Sequence, residues 1–176
     1  MTLFENIGYE KWSHYIQLKK EIYDQYCPSV SKESLASEYK WLQRYGCRNG
    51  GDIGIHVVPG DLCFIDFGQN YFNEMGFRHF GLVVSICVQK ALVIPMTSNP
   101  ETYRRAYDRM DNPQGKRNLY RIGHVEGMDR KSVLFLNDAR YINTARVITV
   151  MAHMNPEEQM FKDIQNRLKA IMFPVS

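Results

Sequence analysis

The sequence predicts an α+β protein: a small, mostly antiparallel barrel or curled sheet that carries a C-terminal helix and follows a pair of N-terminal helices. Three observations predict it. Short apolar runs rich in Val, Ile, Leu and Phe recur between residues 62 and 148, each bounded by turn residues, which is how strands read. Helical spacing of apolar residues is found at the two ends of the chain. Between the first helical stretch and the β-rich part stands Arg48-Asn49-Gly50-Gly51-Asp52, where adjacent glycines after a polar pair mark a turn or linker. The chain thus divides into a helical extension over 1–50 and a β-rich domain with its helix over 51–176, a length that suits one sizeable core and one appendage.

In the extension, Tyr15, Leu18, Ile22 and Tyr26 fall on one helical face, and Cys27-Pro28-Ser29 breaks the helix because proline disfavours helix in the residue before it. A second helix is expected from an N-cap at Ser31, with Leu35, Tyr39 and Leu42 on one face and Gly46 as its C-cap. Such an αα-hairpin buries its aromatics on the following domain or on a partner. His14 is expected at the surface.

The β-rich part begins with runs over Leu62 to Phe67, Gly81 to Val88 and Ala91 to Met96. The first two are joined by a long loop from Gly68 to His79. The second and third are joined by Gln89-Lys90, a two-residue hairpin connection without a favoured turn residue. A basic, polar segment follows Pro100, then strands over Asn118 to Ile122 and Ser132 to Leu136 and an apolar run to Ile148, giving five strands. The last helix should start from Asn155 as N-cap, with Pro156 at N1 and Glu158 at N3. Its apolar face is expected to be Met160, Ile164, Leu168, Ile171 and Met172.

Composition narrows the function classes. No apolar run approaches the roughly 20 residues of a membrane helix, and Met1 to Tyr9 lacks the basic start and apolar core of a signal peptide; a cytoplasmic protein is expected. The four cysteines form no Cys-x-x-Cys pair and lie near no histidine at ligand spacing, which argues against zinc and disulfides. Cys63 and Cys87 read as small core residues. There is no Gly-x-x-x-x-Gly-Lys loop and no Gly-x-Gly-x-x-Gly turn, so nucleotide-binding folds fall away. The net charge of +3 is matched by residues 101–131 alone, where eight basic residues meet five acidic ones. That segment is either a surface for a polyanion or a solvated loop.

The chemistry gathers around the long loop and the end of the third run, since loops and strand ends on a stiff sheet are where sites are usually presented. The loop holds Glu74, Arg78 and His79, and the run ends in Pro95-Met96-Thr97-Ser98-Asn99-Pro100. Arginine is a permanent cation whose planar fork matches phosphate oxygens. Histidine gives or takes a proton near neutral pH. A threonine hydroxyl can hydrogen-bond a phosphate oxygen. Metal-free RNA cleavage needs such parts: a base for the ribose 2′-OH, a cation for the phosphorane, and an acid for the leaving oxygen. No carboxylate cluster suited to Mg²⁺ is evident, and no cofactor is called for.

At these residues the chain resembles the MazF/PemK family of toxin endoribonucleases. Three blocks carry the resemblance, in the family's order and over roughly Pro59 to Ile171. The first is Gly60-Asp61 leading into Phe64-Ile65-Asp66-Phe67-Gly68. The second runs from Glu74-x-Gly76-x-Arg78-His79 through Gly81-Leu82-Val83-Val84-Ser85 to Val93-Ile94-Pro95-Met96-Thr97-Ser98-Asn99. The third is Ser132-Val133-Leu134, followed by Arg140 and Arg146. The resemblance implies an SH3-like barrel, a homodimer that cuts single-stranded RNA without a metal, and a cognate antitoxin protein as partner. It places Thr97 on the scissile phosphate, with Arg78 and His79 catalytic and Glu74, Ser98, Asn99, Asp138 and Arg140 around the substrate. One departure stands out. Where the family has an arginine before a proline, this chain has His79-Phe80, with Arg78 one residue earlier. Either Arg78 takes the role, or His79 replaces it as acid or base, or the barrel is catalytically silent and binds RNA or a protein. A relative that acts on DNA or gyrase is a third class.

Overall fold

The computed structural model describes residues 8–174. Residues 1–7 of the helical region expected over 1–50, and residues 175–176 of the domain expected over 51–176, lie outside them. Two helices open the described chain, α1 (Tyr9–Gln25) and α2 (Pro28–Arg44). After a single 3₁₀ turn (Gly50–Ile53) come β1 (Asp61–Asp66), β2 (Arg78–Cys87), β3 (Lys90–Thr97), the short helix α3 (Pro100–Arg105), β4 (Ala106–Tyr107) and β5 (Lys116–Gly123). They are followed by β6 (Ser132–Phe135), β7 (Arg140–Asn143), β8 (Val147–His153) and α4 (Gln159–Met172). The protein is of the expected mixed α+β type, with a mostly antiparallel sheet, a C-terminal helix and N-terminal helices.

The strands form one sheet in the order β4-β5-β6-β3-β2-β1-β8, and every pairing but β4–β5 is antiparallel. β3 is shared along its free edge: Lys90 to Val93 pair with β7, and Met96 and Thr97 pair with β6. One strand handing its edge from one neighbour to another, with bulges in β1–β8, β2–β3 and β5–β6, curls the sheet.

Side chains alternate across a strand, and here both faces of β1, β2 and β3 are covered. Leu62, Leu82, Ile94 and Met96 point into a core shared with Phe161, Ile164 and Leu168 of α4. Cys63, Ile65, Val83 and Val93 enter a second core with Ile142 and Val147. Burial on both faces is why these strands read as continuous apolar runs without alternation. Gly60 sets the entry to β1 with φ +99°, and a Cβ there would meet the Met154 carbonyl at 2.1 Å. No other residue fits that corner.

Several expectations are corrected. The five strands become eight, because the apolar run to Ile148 folds as β7 and β8 around a 3₁₀ turn and the polar segment after Pro100 adds α3 and β4. β2 starts at Arg78, so Arg78 and His79 belong to a strand and not to the loop. The β2–β3 turn is Val88-Gln89, with Val88 at φ 57°. α2 starts at Pro28 with Cys27 as N-cap, not at Ser31, whose hydroxyl donates to the Tyr23 carbonyl; its C-cap is Tyr45, not Gly46. In α4 the first helical residue is Gln159. Asn155 caps only the preceding turn, accepting the Glu157 N–H at 3.0 Å. The buried stripe of α4 is Phe161, Ile164 and Leu168, while Met160 and Met172 are exposed. Cys87 is exposed at the end of β2, whereas Cys63 is buried, its thiol pushed up to about 12 by burial.

The helical pair differs most from expectation. α1 buries no residue, and the buried residues of α2 are Ser34 and Ser37. Tyr15, Leu18, Ile22, Tyr26, Leu35, Tyr39 and Leu42 are all exposed. His14 is exposed, as expected. No described helix is long and apolar enough to cross a membrane.

Candidate functional site

The site sits where β2 begins and β3 ends. The β2–β3 ladder runs out at Phe80↔Met96, so His79 and Thr97 are the next residues on each strand, with Arg78 and Ser98 just beyond them. On its other side, β2 pairs Arg78 with Asp66 and His79 with Ile65 of β1. Two strand ends, eighteen residues apart in the sequence at His79 and Thr97, thus lie side by side.

The loop that leads into Arg78 is closed at its neck by two backbone bonds. Phe67 N–H donates to the Phe77 carbonyl at 2.7 Å, and Phe77 N–H donates to the Gly68 carbonyl at 2.6 Å. Asn73 holds φ 68°, which asparagine tolerates, and Phe77 holds φ 54°, a conformation that costs free energy for a bulky residue. A strained residue therefore immediately precedes Arg78. Gly76 lies inside the loop against Asn70, whose Oδ1 would sit 1.9 Å from a Cβ at that position. Asn70 in turn donates to the carbonyls of Tyr71 and Glu74.

Asp138 and Arg140 grip the same loop from outside. Asp138 Oδ2 accepts the Met75 N–H at 2.7 Å, Arg140 donates to the Met75 carbonyl, and the Arg140 guanidinium lies over the Phe67 ring at 5.2 Å. Both side chains act on the loop backbone. Asp138→Ala leaves the Met75 amide without its charged acceptor, and we expect a loss of about 1–2 kcal/mol. Amide exchange should quicken in residues 69–77 while the β1–β3 core keeps its protection; unchanged exchange there would mean that the bond does not hold the loop.

The other expected site residues divide between two clefts. Thr97 and Ser98 line a cleft of about 330 Å³ with Phe80, Met96, Met128, Arg130 and Met151 among its walls. Thr97 Oγ1 accepts the Asn99 N–H at 3.2 Å, and the Asn99 carboxamide oxygen caps α3 by accepting from Glu101 and Thr102. Glu74 and Asp138 line another cleft with Arg105, Lys116, Asn118 and Asn137. Of the basic residues after Pro100, Arg121 is held by Asp111 and the Tyr103 carbonyl and Arg117 stacks on Tyr107. Arg104, Arg105 and Lys116 line an open polar cleft.

The electrostatics of the centre are defined by one residue of the extension. Glu33 of α2 takes the Arg78 guanidinium in a bidentate pair, with Nε donating at 2.9 Å and Nη2 at 2.8 Å. Arg78 accordingly holds the Glu33 carboxyl below its ordinary 4.5, and Glu33 raises Arg78. The sign is that of a depressed acid. The pair's contribution is fully present above pH 4.5 and is lost as pH falls through Glu33's lowered value. His79 is half-buried, and that burial lowers its pKa from 6.5, with Glu33 opposing weakly. Its imidazole is therefore neutral at pH 7 and able to accept a proton.

Sequence reasoning missed two features. One is Glu33, which no local pattern connects to a residue 45 positions away. The other is the pair Tyr71 and Phe72 at the tip of the loop, 83% and 99% exposed. The signal was there to read, since two adjacent aromatics in a polar loop have no core to enter. No group of three or more His, Cys, Asp or Glu among the described residues could hold a metal ion.

No family model matches the sequence, and no curated protein matches it in sequence. Among solved structures, a MazF from Deinococcus radiodurans is 14% identical, covering 67% of this chain and 97% of its own length with a TM-score of 0.49. An endoribonuclease from a mycobacterial species is 9% identical, covering 68% and 95%, with a TM-score of 0.46. A mycobacterial endoribonuclease in complex with its cognate antitoxin is 10% identical, covering 69% and 100%, with a TM-score of 0.45.

Proposed function

We propose that this protein is a toxin-like endoribonuclease that cuts single-stranded RNA without a metal. The observation that carries the proposal is that the start of β2, with Arg78 and His79, lies beside the end of β3, with Thr97; these residues fall within the second block of the MazF/PemK resemblance, and His79-Phe80 is its departure. In this reaction neutral His79 accepts the ribose 2′-OH proton, the 2′-oxygen attacks phosphorus, and the P–O5′ bond breaks. The 5′-oxygen takes a proton from solvent water as it leaves. Arg78 offsets the charge on the phosphorane, and the Thr97 hydroxyl donates to a non-bridging oxygen. Tyr71 and Phe72 offer rings on which unpaired bases stack, the usual way of holding single-stranded RNA. Asp138 and Arg140 hold the loop that carries those rings, and Glu74, Ser98 and Asn99 line the path of the strand. The same resemblance supports a cytoplasmic homodimer countered by a cognate antitoxin protein, with residues 1–50 as an extension of the 51–176 domain.

The test is incubation with a long single-stranded RNA in EDTA. Discrete cuts with 2′,3′-cyclic phosphate ends, lost in Thr97→Ala and His79→Ala, are the expected result. Because the protonated imidazole cannot act as base and burial lowers the His79 pKa from 6.5, the fall in rate on acidification should set in at lower pH than a free imidazole would give. A second reading rests on the His79-Phe80 departure and on the occupied Arg78: a catalytically silent barrel that binds RNA or a protein. RNA retention without fragments, from folded protein and across several RNAs, would select it.

A further inference from the structure

We infer that the helical pair is a built-in cover on the site, in which the Glu33 carboxylate occupies Arg78 as a substrate phosphate would, so that α2 must lift before RNA can bind. The inference rests on the endoribonuclease function proposed above and adds its regulation. A bidentate carboxylate satisfies the planar fork of an arginine in the same way as two phosphate oxygens. With Nε and Nη2 of Arg78 both donating to Glu33, one bidentate edge of the guanidinium is taken, and the carboxylate stands where a phosphate using that edge would sit.

The way α2 is attached is what makes it a cover and not part of the core. Its bonds to the rest of the protein are polar. Ser37 donates to Asp66 at 2.6 Å, Ser34 donates to Gln69 Oε1 at 3.0 Å, and Arg44 donates to the carbonyls of Ala145 and Val147. Neither α1 nor α2 buries an apolar residue. An element held by few polar contacts, without apolar burial, opens at a far lower free energy than the core strands. Within the pair, Tyr23 bonds Ser34 and Glu38, and Lys19 pairs with Glu38, so the two helices can move as one body. The pivot lies at the far end. Arg44 is tied to β8, and Gly50 N–H donates to Thr144 Oγ1 at 2.9 Å. Glu33 stands eleven residues from Arg44, roughly 16 Å along the helix, so a small rotation about the Arg44 end withdraws Glu33 from Arg78.

The experiment uses the full chain and two variants. Glu33→Gln keeps the shape and removes the charge. Gln69→Ala loosens the docking of α2 through Ser34 and touches neither Arg78 nor Thr97. Binding of an uncleavable 2′-O-methyl single-stranded oligonucleotide is followed by fluorescence anisotropy, and cleavage of the matching RNA is followed in EDTA. Releasing a part-exposed bidentate pair should strengthen both by about five- to tenfold in Glu33→Gln, with a smaller gain in Gln69→Ala. Amide exchange in α1 and α2 should quicken when the oligonucleotide is added to wild type. Folded Glu33→Gln with equal or weaker binding and cleavage would overturn the inference and make Glu33 a residue that positions Arg78. If Glu33→Gln fails to fold, Gln69→Ala decides alone: a gain upholds the cover and no gain removes it. Cleavage that is equal in all three proteins removes the cover and leaves the nuclease standing. No binding and no cleavage in any of them removes the nuclease, and the cover with it.

Discussion

Arg78→Ala lowers cleavage of single-stranded RNA by roughly 10²- to 10³-fold, the usual loss when one preorganised donor to the transition state is deleted. The effect should fall on kcat more than on KM, because the charge Arg78 meets grows as the phosphorane forms. Two consequences of the same change pull against each other. The alanine removes the cation, but it also leaves Glu33 without its partner and loosens α2. A loosened α2 would ease RNA binding, so a modest fall in KM beside a large fall in kcat is the expected signature. Arg78→Lys keeps the charge and loses the fork. It should recover part of the rate and none of the bidentate hold on Glu33. Single-turnover cleavage in EDTA measures this directly, and an unchanged kcat in Arg78→Ala would remove Arg78 from the chemistry.

Phe161→Ala costs about 3–5 kcal/mol of stability, in the range for a large aromatic emptied from a core. Phe161 is 1% exposed on the inner face of α4, in one cluster with Leu62, Leu82, Ile94, Met96 and Leu134. Little can collapse into the space, because the surrounding residues belong to paired strands of the sheet. In a chain of this size the midpoint of thermal unfolding should drop by about 10 °C. Met160→Ala, one residue earlier on the exposed side, should stay within roughly 0.5 kcal/mol. Equal effects at the two positions would mean that the buried face of α4 lies elsewhere. The loss should also reach the site, since Met96 in this cluster directly precedes Thr97.

Much of the fold was legible in the residues. The central strands announced themselves through apolar runs between turn residues, because a strand covered on both faces has no polar side to show. The proline at 28 divided the helices, since it lacks the N–H that a continuing helix would use. The loop, the strand end and the residues Arg78, His79 and Thr97 could be named from their chemistry. Boundaries were less legible. α4 starts three residues later than Asn155, Pro156 and Glu158 suggest, because Asn155 caps a separate turn and Glu158 stands at the N-cap position of the helix, whose register is held by Phe161 packing on the sheet. β4, α3 and the splitting of β7 from β8 depend on pairing partners far along the chain, and no local pattern encodes those.

By itself, the sequence determined the class of fold, the break between helices, the core of the sheet and the set of groups available for chemistry. These follow from local propensity and from the period of apolar residues. Only the tertiary structure decided which of those groups meet. It set the ends of β2 and β3 together, gave Asp138 and Arg140 to the backbone of Met75, and lowered His79's pKa by burying its ring. It also laid α2 so that Glu33 closes on Arg78, while the apolar side chains of the helical pair face outward. A helix's apolar stripe says that it prefers cover, but not which surface supplies it. An ion pair across 45 residues depends on how the intervening chain folds, which composition and spacing do not contain.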